Sequence, residues 1–99
     1  MPFAIKIGPA AQQDLQVLRK YDQTAIRDQI QRYLLQQPMR QTGTRIKELV
    51  QPAISQFRLR VGEFRVYYNV DLKSQEVHVI RVVKKGRRTT EQVTRHEDD

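Results

Sequence analysis

Hydrophobic and polar positions alternate at both ends of the chain and fall at helical spacing between. Phe3, Ile5 and Ile7 share one face of Phe3-Ala4-Ile5-Lys6-Ile7, which predicts a short strand closed by Gly8-Pro9. From Ala10 to about Lys20, Ala11, Leu15 and Leu18 recur at helical spacing behind a proline suited to open a helix. Asp22 then reads as the N-cap of a second helix, whose stripe is Ile26, Ile30, Tyr33 and Leu34 and which stops before Pro38. Residues 38–53 are broken by Pro38, Gly43 and Pro52, with Ile46, Leu49 and Val50 available to the core. Beyond them the period changes to two. Phe57, Leu59 and Val61 alternate with Gln56, Arg58 and Arg60 in a strand over 54–61. Gly62-Glu63 is a tight turn, and Phe64, Val66, Tyr68 and Val70 alternate with Arg65, Tyr67 and Asn69. Val77–Val83 is the most β-branched run and reads as a central strand. The order β-α-α-β-β-β predicts an α+β fold, a helical hairpin packed on a mostly antiparallel sheet.

Length and charge sharpen this picture. Ninety-nine residues leave room for one domain, expected over 1–90, with 91–99 an acidic, solvated and frayed tail. The net charge of +7 is unevenly spread: residues 1–55 carry +4, residues 56–88 carry +6, and residues 89–99 carry −3. Such an excess implies an anionic partner. The chain has no cysteine, which excludes disulfides, a cysteine nucleophile and cysteine-based zinc sites. Its two histidines, 18 positions apart, have no ligand-like cluster around them, so no metal or other cofactor is expected. No apolar run suits a membrane span, and the N-terminus does not read as a signal peptide; the expected location is the cytoplasm, with no membrane partner.

If the apolar alternation faces the helices, Arg58, Arg60 and Arg65 face away from them. The two-residue turn brings them within reach of one another on a sheet face edged by Lys84, Lys85, Arg87 and Arg88. Guanidinium forks suit phosphate oxygens, and Tyr67 on the same face can stack on a base. The competing reading is an ordinary solvated sheet face, with Arg60 paired to Glu63 and Tyr67 as cross-strand packing. His78 reads as a packed imidazole rather than a catalyst. Asp14, Asp22, Asp28 and Glu48 read as helix-surface and capping residues.

The element order, the segment Phe57-Arg58-Leu59-Arg60-Val61-Gly62-Glu63-Phe64-Arg65-Val66-Tyr67-Tyr68, and the strand Val79-Ile80-Arg81-Val82-Val83 with its basic end together resemble the RelE/ParE superfamily of toxins from type II toxin–antitoxin modules. The resemblance implies one of two activities. RelE-like members are ribosome-dependent messenger RNA endoribonucleases (mRNA interferases) that use basic residues without a metal. The ribose 2′-hydroxyl attacks the adjacent phosphate and a cyclic phosphate is left. ParE-like members lack that basic set and inhibit DNA gyrase. A cognate antitoxin neutralises both, and operator DNA is reached only through the antitoxin complex. By this resemblance Arg65, Arg58 and Lys85 are the catalytic candidates, with Arg87 in place of Lys85 if the strand end is shifted. Arg60, Tyr67, Arg81, Lys84, Arg87 and Arg88 are the RNA- or phosphate-binding candidates. The chain departs from the family after Arg88, where Thr89-Thr90-Glu91-Gln92-Val93 holds no Tyr or His, and at Gln56, where a second basic residue is common. A further reading follows from these losses: a catalytically weakened toxin acting mainly through antitoxin and operator complexes.

Overall fold

The computed structural model describes residues 2–41, 43 and 45–85. Their order is β1 (Ala4–Ile7), α1 (Pro9–Gln16), α2 (Lys20–Leu34), β2 (Ile46–Glu48), β3 (Phe57–Val61), β4 (Phe64–Asp71) and β5 (Glu76–Lys84). This is the expected α+β fold, with two helices on a five-stranded sheet ordered β1-β5-β4-β3-β2. The first strand pairs in parallel with the last, Ala4 opposite Glu76 through Ile7 opposite Val79. All other neighbours are antiparallel.

The two apolar stripes close on each other. Leu15 of α1 and Ile26, Ile30 and Leu34 of α2 are buried against Phe57, Leu59, Val66, Tyr68, Val77 and Val79 of the sheet. Removing so many aliphatic groups from water is the main driving force for the fold, at about 25 cal/mol per Å² of apolar surface. Phe57 and Tyr68 are cross-strand partners and stack, with ring centroids 5.6 Å apart and 18° between planes. Gly8 sits where β1 turns into α1, and a Cβ there would lie 3.0 Å from the Val79 carbonyl oxygen. The close approach of the two backbones at this corner therefore depends on glycine.

Several local expectations are corrected. The N-cap of α2 is Arg19, not Asp22; Asp22 lies in the first turn, 3.4 Å from the Arg19 guanidinium, where a carboxylate also meets the positive helix end. The first helix ends at Gln16 instead of near Lys20, because the chain turns at Val17–Arg19 to start α2. The strand expected from Ile54 begins at Phe57. Residues 49–56 instead fold over the sheet, with Ala53 and Ile54 packed on Leu49, Tyr67 and Val83. The irregular segment supplies a fifth strand, β2, which buries Ile46, and Leu49 is buried as expected; Val50 is exposed. A register shift at Tyr67/Tyr68 against β5 changes the parity of that strand, so Val82 joins Val77 and Val79 in the helix-side core.

The Tyr68 hydroxyl donates to the Pro38 carbonyl at 2.5 Å, tying the loop after α2 to the centre of the sheet. Burial holds this phenol well above its ordinary value of 10.0, with the Arg58 charge pulling weakly the other way. The neutral phenol is thus favoured by folding, whereas the unfolded chain releases that proton above pH 10. The contribution of Tyr68 is complete below pH 10 and is lost as pH rises beyond it. Tyr68→Phe is expected to cost about 1 kcal/mol at neutral pH. It also flattens the alkaline fall in stability, which urea unfolding between pH 8 and 11 measures; an unchanged alkaline limb would remove Tyr68 as its cause.

Candidate nucleic acid interface

The alternation in β3 and β4 does put Arg58, Arg60, Arg65 and Tyr67 on the face away from the helices, because Phe57, Leu59, Val61, Val66 and Tyr68 occupy the other. The pairing register then sets like charges opposite each other. Lys47 of β2 faces Arg58, and Arg60 faces Arg65. Four cations are thereby set on three adjacent strands of one sheet face. Lys47 was not singled out from the sequence. Ile46-Lys47-Glu48-Leu49 is too short to show a strand period, and breakers flank it.

The hairpin turn is the hub of this face. Gly62 takes its first position at φ 55°, a backbone conformation that glycine adopts without strain. Arg65 Nη1 donates to the carbonyl oxygens of Gly62 and Phe64, both at 3.1 Å. The Lys85 N–H donates to the Glu63 carbonyl at 2.7 Å, which anchors the end of β5 beside the same turn. Arg60, Arg65 and Lys85 are thereby gathered around residues 62–63. Lys84 is half-buried with its ammonium 3.7 Å from the exposed Glu63 carboxylate, so Glu63 pairs with Lys84 and not with Arg60.

Exposure differs from the expectation of an open cationic surface. Arg60 and Lys85 are exposed, but Arg58 (2% exposed), Arg65 (3%) and Tyr67 (0%) are buried. Tyr67 packs with Leu49 and Val83, beneath Ala53 and Ile54, which leaves its ring no face for a base. The sequence pattern could not reveal this cover, because the covering segment has no regular period. Arg81 is also placed elsewhere than expected. Its Nε and Nη2 donate to the two carboxylate oxygens of Asp14 in α1, at 2.7 and 3.0 Å. The Val82 N–H donates to the same carboxylate at 2.9 Å. This hydrogen-bonded carboxylate raises the Arg81 pKa further above its ordinary value. Asp14, expected as a surface residue, is the clamp between α1 and β5. His78 is half-buried and lies 3.0 Å from Glu76, remote in register from the hairpin turn. Arg87, Arg88 and the acidic tail lie outside the described residues. Among the described residues no group of histidine, aspartate and glutamate side chains could hold a metal ion, and no helix is long and apolar enough to cross a membrane.

Residues 5–89 match the family model described as the ParE toxin of type II toxin–antitoxin systems, parDE. The chain belongs to that family. Solved structures of toxins share the fold. The RelBE2 toxin–antitoxin complex of Mycobacterium tuberculosis contains a chain that superposes with a TM-score of 0.69 at 23% identity, covering 86% of this toxin and all of that chain. The archaeal RelE–RelB complex of Pyrococcus horikoshii gives 0.65 at 24% identity, with 88% and 99% covered. A double arginine-to-alanine variant of E. coli RelE in the free state gives 0.60 at 14% identity, with 94% of each chain covered. A search of curated proteins returns no match. The toxin thus has the RelE/ParE architecture, and two of these neighbours were solved as toxin–antitoxin complexes.

Proposed function

We propose that this toxin is a messenger RNA endoribonuclease acting in the ribosome, with Arg65, Arg58 and Lys85 as its catalytic cations and Arg60 beside them on the RNA backbone. The observation that carries the reading is the gathering of Arg60, Arg65 and Lys85 around the hairpin turn, with Arg58 on the same sheet face. Guanidinium forks and an ammonium suit the oxygens of a phosphodiester, and fixed guanidiniums stabilise charge without reorganisation during the reaction. In the proposed step the 2′-hydroxyl oxygen bonds to the adjacent phosphorus and releases its proton to water. The bond from phosphorus to the 5′-oxygen breaks, and that oxygen takes a proton. The products are a 2′,3′-cyclic phosphate and a 5′-hydroxyl. Arg65 and Lys85 offset the charge that builds on the phosphorane, and positioning of the hydroxyl supplies the remainder. A cognate antitoxin of the kind in the neighbouring complexes would hold the toxin inactive in the cytoplasm. Operator DNA would be reached only through that complex.

A second reading has specific support. The matching family is named for ParE, and Arg58 and Arg65 are almost wholly buried. Under it, the toxin inhibits DNA gyrase and cuts nothing. Primer extension on translated messages after induction separates the two. Discrete cuts within coding regions are expected, and Lys85→Ala with Arg60→Ala, both exposed and therefore tolerated by the fold, should weaken them at least about ten-fold. Intact messages with blocked supercoiling would sink the nuclease reading.

A further inference from the structure

A second cationic cluster lies on the helix side of the molecule and reaches the hairpin strands through Arg45, which is tied to the Arg60 backbone. The C-terminal part of α2, the loop after it and the approach to β2 enclose a cavity of about 220 Å³ lined by Arg32, Tyr33, Gln36, Gln37, Arg40 and Ile46. Arg45 closes on the same ring: its guanidinium carbon is 4.8 Å from the Tyr33 centroid, and that of Arg32 is 5.7 Å away. The polar partners of these arginines are neutral. Arg40 donates to Gln37 Oε1 at 3.0 Å, and Arg45 donates to Gln29 Oε1 at 3.3 Å and the Arg60 carbonyl at 3.4 Å. Among the described residues none of the three makes an ion pair with a carboxylate. The negative end of the α2 dipole accounts for a cation at Arg32 in the last turn. It does not account for Arg40 and Arg45, which arrive from a loop and from the edge of β2.

We infer that Arg32, Arg40 and Arg45 form a second docking site, one that takes the phosphodiester backbone of a nucleic acid. Arg32 and Arg40 line the cavity and Arg45 stacks on the Tyr33 ring that forms its wall. These forked donors match phosphate oxygens, and Gln36 and Gln37 add neutral donors and acceptors for the sugar-phosphate chain. Tyr33 lies beneath two guanidiniums, an arrangement that limits their freedom before the ligand arrives and lowers the entropy lost on binding. Because the ring is engaged by arginines, the site reads backbone charge and not base identity. It serves a toxin poised on an RNA machine equally with one held on operator DNA, so it does not depend on the nuclease reading.

The test is fluorescence anisotropy of the purified toxin with a labelled 20-nucleotide single-stranded RNA and, separately, a 20-base-pair DNA duplex, each over a range of salt. The double variant Arg32→Gln, Arg40→Gln leaves the stacked Arg45 in place. It is expected to bind at least one of the two probes roughly ten-fold more weakly at 0.1 M salt. The log–log salt slope should become shallower by about 1.4 for RNA or 1.8 for duplex DNA. The probe that responds identifies the source of the backbone. Lys20→Gln with Arg27→Gln removes the same charge from exposed positions of α2 that do not line the cavity, and should change affinity less than about two-fold. Equal losses in both double variants would overturn the site in favour of net charge alone. Unchanged affinity and slope for both probes would overturn it outright. Circular dichroism of each variant checks that the fold is intact, and cleavage plays no part in the readout.

Discussion

Arg65→Ala is expected to abolish growth arrest on induction and to lower messenger RNA cleavage at least about a hundred-fold, the usual loss when one fixed donor to developing charge is removed. The same substitution tests the fold. The Arg65 side chain is buried and its Nη1 caps two carbonyls of the turn that organises the site. Truncation leaves those carbonyls without that donor and opens space beside Val83, its cross-strand partner. The net cost should be modest, about 1–3 kcal/mol. A domain of this size with about 5–15 kcal/mol of stability remains folded at that cost. Arg65→Lys separates the two roles. It keeps the charge and one donor group but loses the planar fork, so stability should largely return while cleavage stays depressed. Retained binding of the antitoxin marks a folded but inactive toxin. If Arg65→Ala remains fully toxic, the nuclease reading fails.

The second large effect is structural and concerns Asp14. One carboxylate receives two hydrogen bonds from Arg81 and one from the Val82 backbone. Asp14→Ala removes all three and leaves the N–H of an interior strand without its acceptor. The ion pair itself is partly exposed, so solvent screens its Coulomb energy; the lost acceptors dominate. The expected cost is about 2–3 kcal/mol, or roughly 8–24 °C in Tm for a domain of this length. Asp14→Asn keeps an acceptor oxygen and should recover about half of the loss. Thermal melting followed by circular dichroism measures both. An alanine variant melting within about 2 °C of the wild type would show that α1 does not depend on this clamp. Arg81→Ala leaves Asp14 to accept from the Val82 N–H, so it should cost less stability than Asp14→Ala, and it should leave cleavage per folded molecule unchanged, as befits a guanidinium committed to a carboxylate.

Much of the architecture was legible because a single physical quantity, apolar periodicity, carries it. Phe57-Leu59-Val61 and Val66-Tyr68 alternate without interruption, so their strands, their turn and their helix-facing side followed directly. The stripe of α2 was equally plain. Its start was misplaced because Asp22 satisfies the compositional rule for a cap, whereas here the chain turns three residues earlier, at Arg19. Three features had no local signal. The 46–48 strand is too short to show a period. The parity change in β5 comes from a bulge, which depends on the pairing register. The cover over Tyr67 is built by an aperiodic loop.

The candidate site divides along the same line. That Arg58, Arg60 and Arg65 share a face is a consequence of strand geometry, in which every second side chain points the same way, and the sequence alone determined it. The concentration of charge in residues 56–88 was likewise readable by counting. Whether a residue on that face meets solvent is not a property of its strand. It depends on what segments distant in sequence lay upon it, and residues 49–56 pack over Tyr67 while Arg58 and Arg65 are buried on the same face. Only the tertiary structure could oppose Lys47 to Arg58, since loop closure and register bring together positions separated by irregular chain. Only it could commit Arg81 to Asp14, 67 positions away, because two charges pair according to their distance in space and not their distance along the chain.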